Sequence, residues 1–537
     1  MRKKVLVIGI DGMDFKSLNT LMDSGIMPLT AELAKKSCTA EGIVDVNPVT
    51  APLWVSFATG KNSGKHGIYD FIMPEDSLAN PKTFRPTKIK SKTFYQTLSE
   101  AGHKCIIVNM PGAYPPLAEG IFTSDFTSPS KDLVHPKELL EELPVLKKYK
   151  VIPKAALTKP ADYLKGIIEV EDARFECAKE LFEKKEWDFF FFLFSGTDWA
   201  QHAVYEKLMK IKNKKKLSKE EALGTELFRK VDSYINWFVE HNKEGNTLIL
   251  SDHGFKTYKG MFYTNTWLKE EGYLKQKTES MEKTVAPNEI EAEAMKQLSG
   301  KFRIKIPNFL FNFLTSHKKL FKPLFLFYIK FEENLLTWLP IKFQQKHSPD
   351  ISSSRACSLI YREIYINDKE RYPDGIVEKE EYEKLREEII SKLKALKHPT
   401  ENKPMFKDVI KKEEAYHGNQ IKDCGDIIIV PDEYDSTARM PPVVHDTTPT
   451  NNHSQHSIFM ATGPDIKKGK TSPIRIYDFA PTILHMFGLP VPSEMDGKVL
   501  KGIFKEESEY AKKEVKYETE KERLDETIKN LKLKGKI

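Results

Sequence analysis

The apolar residues of this chain come largely in short unbroken runs. Val5 to Ile10 is the first, and others recur at Lys104 to Met110, Phe189 to Phe194, Thr247 to Leu250, Asp426 to Val430 and Ser457 to Ala461. A run of this kind is buried on both faces, as in a parallel sheet covered by helices on either side. Between the runs lie helical stretches and turn residues. After Ile10, Asp11-Gly12 make a turn, Asp14 is placed to cap a helix, and Gly25 to end it. The pattern predicts an α/β fold with a mostly parallel central sheet flanked by helices.

Two stretches depart from this texture. Over residues 275–350, Phe309, Leu310, Phe311, Phe313, Leu314, Leu324, Phe325 and Trp338 are interleaved with lysines and prolines, which reads as an inserted helical lobe. Its charge-free runs fall short of the ~18 residues of a membrane span. Such a lobe packs as a cap over an active site, or docks on a membrane surface or lipid substrate through residues 303–343, as basic amphipathic helices do. Over 351–420, Ile364 to Asn367 predicts a strand and Glu378 to Leu396 a charged amphipathic helix, giving an α+β cap lobe. The expected organisation is a catalytic core in two parts, 1–274 and 421–503, interrupted by insertions at 275–350 and 351–420. A charged helix or tail follows over 504–537.

Composition narrows the partners. Lys plus Arg number 84 against 77 Asp plus Glu, spread along the chain, so nucleic acid is not expected, while a phosphorylated small molecule or lipid-linked substrate remains compatible. The 5 cysteines are widely spaced with no C-x-x-C pair, which reads as reduced, buried thiols. The apolar run after Met1 to Lys4 is too short for a signal peptide, so the expectation is a cytoplasmic protein, with peripheral membrane contact open through 303–343. The oligomeric state is not legible.

In an open α/β sheet, functional groups gather beyond the carboxyl ends of the strands. Asp11 follows the first run. Asp198 follows the Phe-rich run after Ser195-Gly196-Thr197, and Asp252-His253-Gly254 follows Thr247 to Ser251. His202 lies one helical turn after Asp198, on the same face of a helix. A lone Asp in such a place is a turn or cap residue; three, two of them with histidines, form a mixed Asp/His cluster suited to a pair of divalent ions, Zn²⁺ or Mn²⁺. The segment Asn47-Pro48-Val49-Thr50-Ala51-Pro52-Leu53-Trp54 completes the set. Pro52 belongs in the first turn of a helix, which places Thr50 at or just before a helix N-terminus that ends near Gly60. There the dipole favours an alkoxide or a phosphate, although taken alone such a Thr is more often an ordinary N-cap.

These residues resemble the type I phosphodiesterase and nucleotide pyrophosphatase branch of the alkaline-phosphatase superfamily. In that branch a nucleophilic Thr precedes Thr-Gly by nine residues and His-Gly by sixteen, the intervals kept by Thr50, Thr59-Gly60 and His66-Gly67. The resemblance implies an alkaline-phosphatase-like fold and two metal ions. Asp11, Thr50, Asp252 and His253 would hold one, and Asp198, His202 and His453 the other. Residue pattern alone does not choose His453 over His445 or His456. It also implies a metal-dependent phosphohydrolase, most simply a phosphodiesterase, working through a phosphothreonine at Thr50, with His66 in a structural role. Lys61 and Lys65 read as solvated rather than as substrate contacts. The segments Asn265 to Leu268, Gly272 to Leu274 and Tyr365 to Asn367 resemble a prokaryotic group of predicted phosphohydrolases or phosphomutases. A phosphomutase or phosphomonoesterase using the same site is therefore an alternative, and a non-catalytic phosphate-binding or membrane-associated scaffold is another. Thr50-Ala51-Pro52-Leu53-Trp54 lacks the C/S-x-P-x-R start of sulfatases, which excludes formylglycine chemistry. Phe71 stands where nucleotide pyrophosphatases carry a phosphoryl-binding Asn, which argues against a nucleotide substrate.

Overall fold

The computed structural model describes residues 4–277, 349–523 and 525, apart from residues 45, 128–131, 158, 213 and 215. The Phe-rich lobe expected over 275–350, with its 303–343 membrane contact, falls almost wholly outside the described residues. Among those described, no helix is long and apolar enough to cross a membrane.

A ten-stranded sheet organises the chain. Its order runs Gly469–Lys470, Cys38–Ile43, His456–Thr462, Asn246–Leu250, Val5–Ile10, Phe189–Phe194, Cys105–Val108, Ile121–Thr123 and Val134–His135, with Ile474–Arg475 also pairing onto Cys38–Ile43. The five strands from Asn246–Leu250 through Ile121–Thr123 are mutually parallel. Both faces of the central strands are covered, which is why their sequences do not alternate. Val5, Val7, Phe189, Phe191 and Leu193 point into one core with the helices Thr50–Thr59, Phe94–Glu100 and Phe479–Phe487. Leu6, Ile8, Ile10, Phe190, Phe192 and Phe194 point into the other, beneath the helices Pro160–Lys184, Gly196–Met209 and Lys219–His241.

Two expected strands belong elsewhere or run otherwise. His456–Thr462 lies in the main sheet but antiparallel to its neighbours. Ile427–Val430, expected in the parallel sheet, instead sits in a separate antiparallel sheet with Ala356–Cys357, Glu363–Ile366 and Asp408–Lys411. Helix Lys379–Ala395 covers that sheet through Leu385, Ile389 and Leu393, so an apolar run of this length is satisfied equally by one helix-covered antiparallel sheet. Cys38–Ile43 is a strand that its alternating burial supports but its glycine and short length conceal. The charged segment after Lys505 is not a free tail over its first part. Tyr510 is buried and Tyr517–Glu518 pairs with Val491–Pro492. All the cysteines are free and buried.

Candidate metal centre

The strands Asn246–Leu250, Val5–Ile10 and Phe189–Phe194 are neighbours and parallel, so their carboxyl ends open side by side. Each delivers an acidic side chain within a few residues of its end: Asp252, Asp11 and Asp198. The strand ends are stitched together by main chain and hydroxyls. Asp11 N–H donates to Phe194 C=O at 3.2 Å, Thr197 Oγ1 donates to Asp11 C=O at 2.7 Å, and Met13 N–H donates to Ser251 Oγ at 2.8 Å. Gly12, at φ +73°, turns the chain where an added Cβ would meet Asp198 Oδ1 at 3.1 Å. Asp14 caps the following helix Phe15–Asp23 by accepting from Ser17 N–H, as its sequence predicts.

The sequence-predicted residues converge in two groups. In the first, Asp11, Asp252 and His253 are all buried, with His253 Nε2 3.7 Å from Asp11 Oδ1 and 3.3 Å from Asp252 Oδ2. Thr50 heads helix Thr50–Thr59, which Gly60 closes in the left-handed conformation, and Thr50 Oγ1 lies 3.1 Å from His253 Nε2. In the second group, Asp198 and His202, one turn apart on Gly196–Met209, meet His453. His202 Nε2 is 3.6 Å from Asp198 Oδ2, and His453 Nε2 is 3.2 Å from Asp198 Oδ1 and 3.1 Å from His202 Nε2. The stacked rings of His253 and His453, centroids 3.7 Å apart, join the groups. His453 comes from the strand Thr450–Ser454, paired antiparallel with Gly254–Tyr258, which begins directly after His253. His445 and His456 are outside both groups; His456 pairs instead with Glu41 at 2.6 Å.

The hydrogen bonds fix the ring tautomers. His453 Nδ1 bonds Pro48 C=O at 2.8 Å, His253 Nδ1 bonds Gly254 C=O at 3.2 Å, and His202 bonds the main chain of Asn451. An imidazole that donates from one nitrogen to a carbonyl presents the lone pair of the other, here Nε2, towards the site. Burial holds both His202 and His253 below the usual histidine range, which disfavours a proton on either ring. The acids divide. Burial and the neighbouring Asp252 and Asp198 drive Asp11 well above the usual carboxylate range, and burial with Asp198 pushes Asp252 up to about 7. Asp198 is buried too, but His202 and His453 pull it below its ordinary value.

Neutral imidazoles facing clustered carboxylates leave a deficit of positive charge. The buried oxygens Asp11 Oδ1 and Asp252 Oδ2 accept no hydrogen bond at all. Unpaired buried carboxylate oxygens beside histidine lone pairs are a mixed oxygen and nitrogen donor set of the kind a divalent cation completes. A third group, His398 with Glu401 and Glu433, has no such deficit, since Lys259 and Lys403 already bridge both carboxylates at 2.7–3.0 Å.

Several contributors carry no sequence signal. Trp54, one turn beyond Thr50, donates its indole N–H to Asp11 Oδ2 at 3.4 Å. Tyr258 and Arg362 reach the main chain of His453. His66 is buried and neutral, its Nδ1 accepting from Ile68 N–H and its Nε2 bonded to Ser56 Oγ at 2.9 Å, a structural placement. The two nearby lysines are not solvated. Lys61 pairs with Glu494 at 3.3 Å and Lys65 with Asp496 at 2.5 Å, tying the helix end to the C-terminal region of the core. Phe71 stacks at a tilt against Phe126, ring centroids 5.7 Å apart, and so adds no polar group.

No curated protein matches the chain in sequence. Among solved structures, murine ectonucleotide pyrophosphatase/phosphodiesterase 5 superposes with a TM-score of 0.51 at 14% identity, covering 94% of this chain and 100% of that one. An inactive threonine-to-alanine variant of the same protein, in complex with AMP, gives a TM-score of 0.52 over the same shares, again at 14% identity. Phosphonoacetate hydrolase from Sinorhizobium meliloti 1021, in complex with phosphonoformate, gives 0.52 at 14% identity over 89% of this chain and 94% of that one. The likeness establishes the alkaline-phosphatase-like α/β fold. A family model described as type I phosphodiesterase / nucleotide pyrophosphatase matches residues 5–455, from the first strand through the strand that carries His453, and the chain therefore belongs to that family of phosphoric ester hydrolases.

Proposed function

We propose that the chain is a two-metal phosphodiesterase that works through a phosphothreonine at Thr50. The observation that carries this reading is the convergence of Thr50 Oγ1 on His253 Nε2 at 3.1 Å, beside two carboxylate oxygens left without partners. Asp11, Asp252, His253 and Thr50 would hold one divalent cation and Asp198, His202 and His453 the other. So held, the pair supplies the positive charge that stabilises an ionised threonine oxygen and the phosphoryl oxygens, and lowers the pKa of water for the second step.

The residues of the chain do the rest. Thr50 stands at the positive end of a ten-residue helix, where an anionic oxygen and a phosphoryl group are both favoured. Its oxygen attacks phosphorus, the bond to the leaving alcohol breaks, and the phosphoryl group, still esterified to the second alcohol of the diester, rests on Thr50 until water displaces it as a phosphomonoester and returns the threonine hydroxyl. Pro48 C=O and Gly254 C=O hold His453 and His253 in the ring orientation this requires. Phe71 gives no polar contact for a phosphoryl oxygen, which favours a diester other than a nucleotide.

The test is turnover of bis(p-nitrophenyl) phosphate with Zn²⁺ or Mn²⁺ added, followed by quenching and mass spectrometry of the peptide containing Thr50. A p-nitrophenyl-phosphoryl adduct on that peptide, absent from Thr50→Ala together with turnover, is expected. Full turnover by Thr50→Ala would remove the covalent route. Phosphate release from monoesters alone, or phosphoryl shift within a phospho-sugar, would replace the diester by the monoesterase or mutase reading of the same centre.

A further inference from the structure

We infer that Arg362, from the 351–420 insertion, is a positioning residue for the metal ligand His453, so that the insertion completes the second cation site rather than merely covering it. The inference rests on the two-cation reading above.

His453 lies on a strand poorly suited to holding anything still. Thr450–Ser454 is polar throughout, pairs among the described residues only with Gly254–Tyr258, and buries fully only Ser454. No apolar face of the strand fixes it; the ring of His453 stacks on His253 and meets the edge of Phe255, and hydrogen bonds hold its main chain. The main-chain carbonyl of His453 receives two, from Tyr258 Oη at 2.7 Å and from Arg362 Nη2 at 3.3 Å. The same Nη2 also donates to Tyr258 Oη at 3.1 Å. Arg362 is itself clamped by Asp435, through Nε at 2.7 Å and Nη2 at 2.9 Å, and Asp435 Oδ2 takes a further bond from Asn452 Nδ2 at 2.8 Å, the residue before His453. A planar guanidinium held in this two-pronged way has a fixed direction, which an ammonium on a flexible stem lacks.

The backbone at Arg362 is bent to make this reach. Its φ is +40°, in the left-handed region that a large side chain rarely adopts, and Glu363 N–H closes a tight turn onto Tyr361 C=O. Such conformations persist where the surroundings hold them in place. Here the carbonyl of Arg362 accepts from Ile429 N–H at 2.7 Å in the insertion's own sheet, so the strained residue is anchored on one side and extends to His453 on the other. The imidazole is meanwhile held from its far side by Pro48 C=O, two residues before Thr50. Insertion, metal ligand and nucleophile segment thus form one chain of contacts.

The experiment is a titration of the full-length, chelator-treated protein with Zn²⁺ against a chromophoric chelator, reading the number of bound equivalents and the affinity of each. Tyr258→Phe removes one hydroxyl and keeps the ring; Arg362→Lys keeps the charge and loses the fork; Arg386→Gln disrupts an ion pair with Glu413 on the insertion's helix and serves as the stability control. Wild type is expected to bind two equivalents. Tyr258→Phe and Arg362→Lys are each expected to weaken one of them by about 10–100-fold and leave the other unchanged, while Arg386→Gln weakens neither. Both equivalents bound as tightly as in wild type, or both weakened together in step with a lowered melting temperature, would overturn the assignment. A wild-type protein that binds no equivalent would instead overturn the two-cation reading on which it stands.

Discussion

The indole N–H of Trp54 donates to Asp11 Oδ2 at 3.4 Å while Thr50, one turn earlier on the same helix, places its hydroxyl 3.1 Å from His253 Nε2. One helix face therefore carries both the proposed nucleophile and a donor that orients a proposed ligand of the adjacent cation. Trp54→Phe removes the donor and keeps an aromatic ring in the core. Metal affinity at the Asp11 group is expected to fall by about tenfold, read by competition with a chelator. Unchanged affinity would mean that the contact orients nothing.

Gly9 lacks a side chain because Trp54 occupies its place. A Cβ there would stand 2.7 Å from the indole and 2.6 Å from Leu193 Cδ1. Gly9→Ala is expected to lose about 1–3 kcal/mol of folding stability, as overpacking of a filled core does, and to lower turnover by displacing the helix that bears Thr50. Denaturant midpoints and steady-state rates together check both halves.

His66 makes stability depend on acidity. Burial lowers its pKa to about 3, against about 6.5 in an unfolded chain, so between these values the unfolded state binds a proton that the folded state refuses. Its contribution is complete above about pH 6.5 and is lost as pH falls towards about 3, with a slope of up to about 1.4 kcal/mol per pH unit. His66→Gln is expected to flatten urea midpoints over that window relative to wild type. An unaltered slope would show that His66 does not titrate differently on unfolding.

The acid pair predicts the opposite trend when cations are removed. Asp252, pushed up to about 7, and Asp11, raised well above its usual range, keep protons in the folded state that an unfolded chain releases near pH 4. Stability of the chelator-treated protein is therefore greatest below about pH 4 as far as these groups are concerned, and is lost as pH rises through about 7. Bound cations cancel that repulsion, so added Zn²⁺ is expected to raise the melting temperature more at pH 7.5 than at pH 5. Equal shifts at the two pH values would argue that Asp11 and Asp252 are not where the ion binds.

Much of the centre is legible in the sequence because buried strands end abruptly. Asp11, Asp198 and Asp252 each follow an apolar run, and the sheet that covers those runs on both faces necessarily brings its strand ends together. Thr50 is legible through Pro52 and Gly60, whose backbone requirements bound a helix from either side. His453 is different. Its strand, Thr-Asn-Asn-His-Ser, has no apolar period, and its pairing partner lies almost two hundred residues earlier, so only the family resemblance singles it out. Trp54 belongs to the core as well, and nothing local marks its bond to Asp11. Nothing local in the sequence reveals that Arg362 and Asp435 are each buried against the other. The run before Val430 is legible as a strand but not as a member of the second sheet, since burial on one helix-covered face and burial on two produce the same short apolar sequence.

The pairing of Gly254–Tyr258 with Thr450–Ser454 has a bearing on how the chain matures. Of the residues proposed as ligands, Asp11, Thr50, Asp198, His202, Asp252 and His253 all lie in the first half of the chain, and only His453 joins them from a much later strand. Slow, non-local closure is the penalty of such a layout. Its consequence is that the second proposed cation group stays one ligand short until Thr450–Ser454 has docked, so the full pair of groups is assembled last.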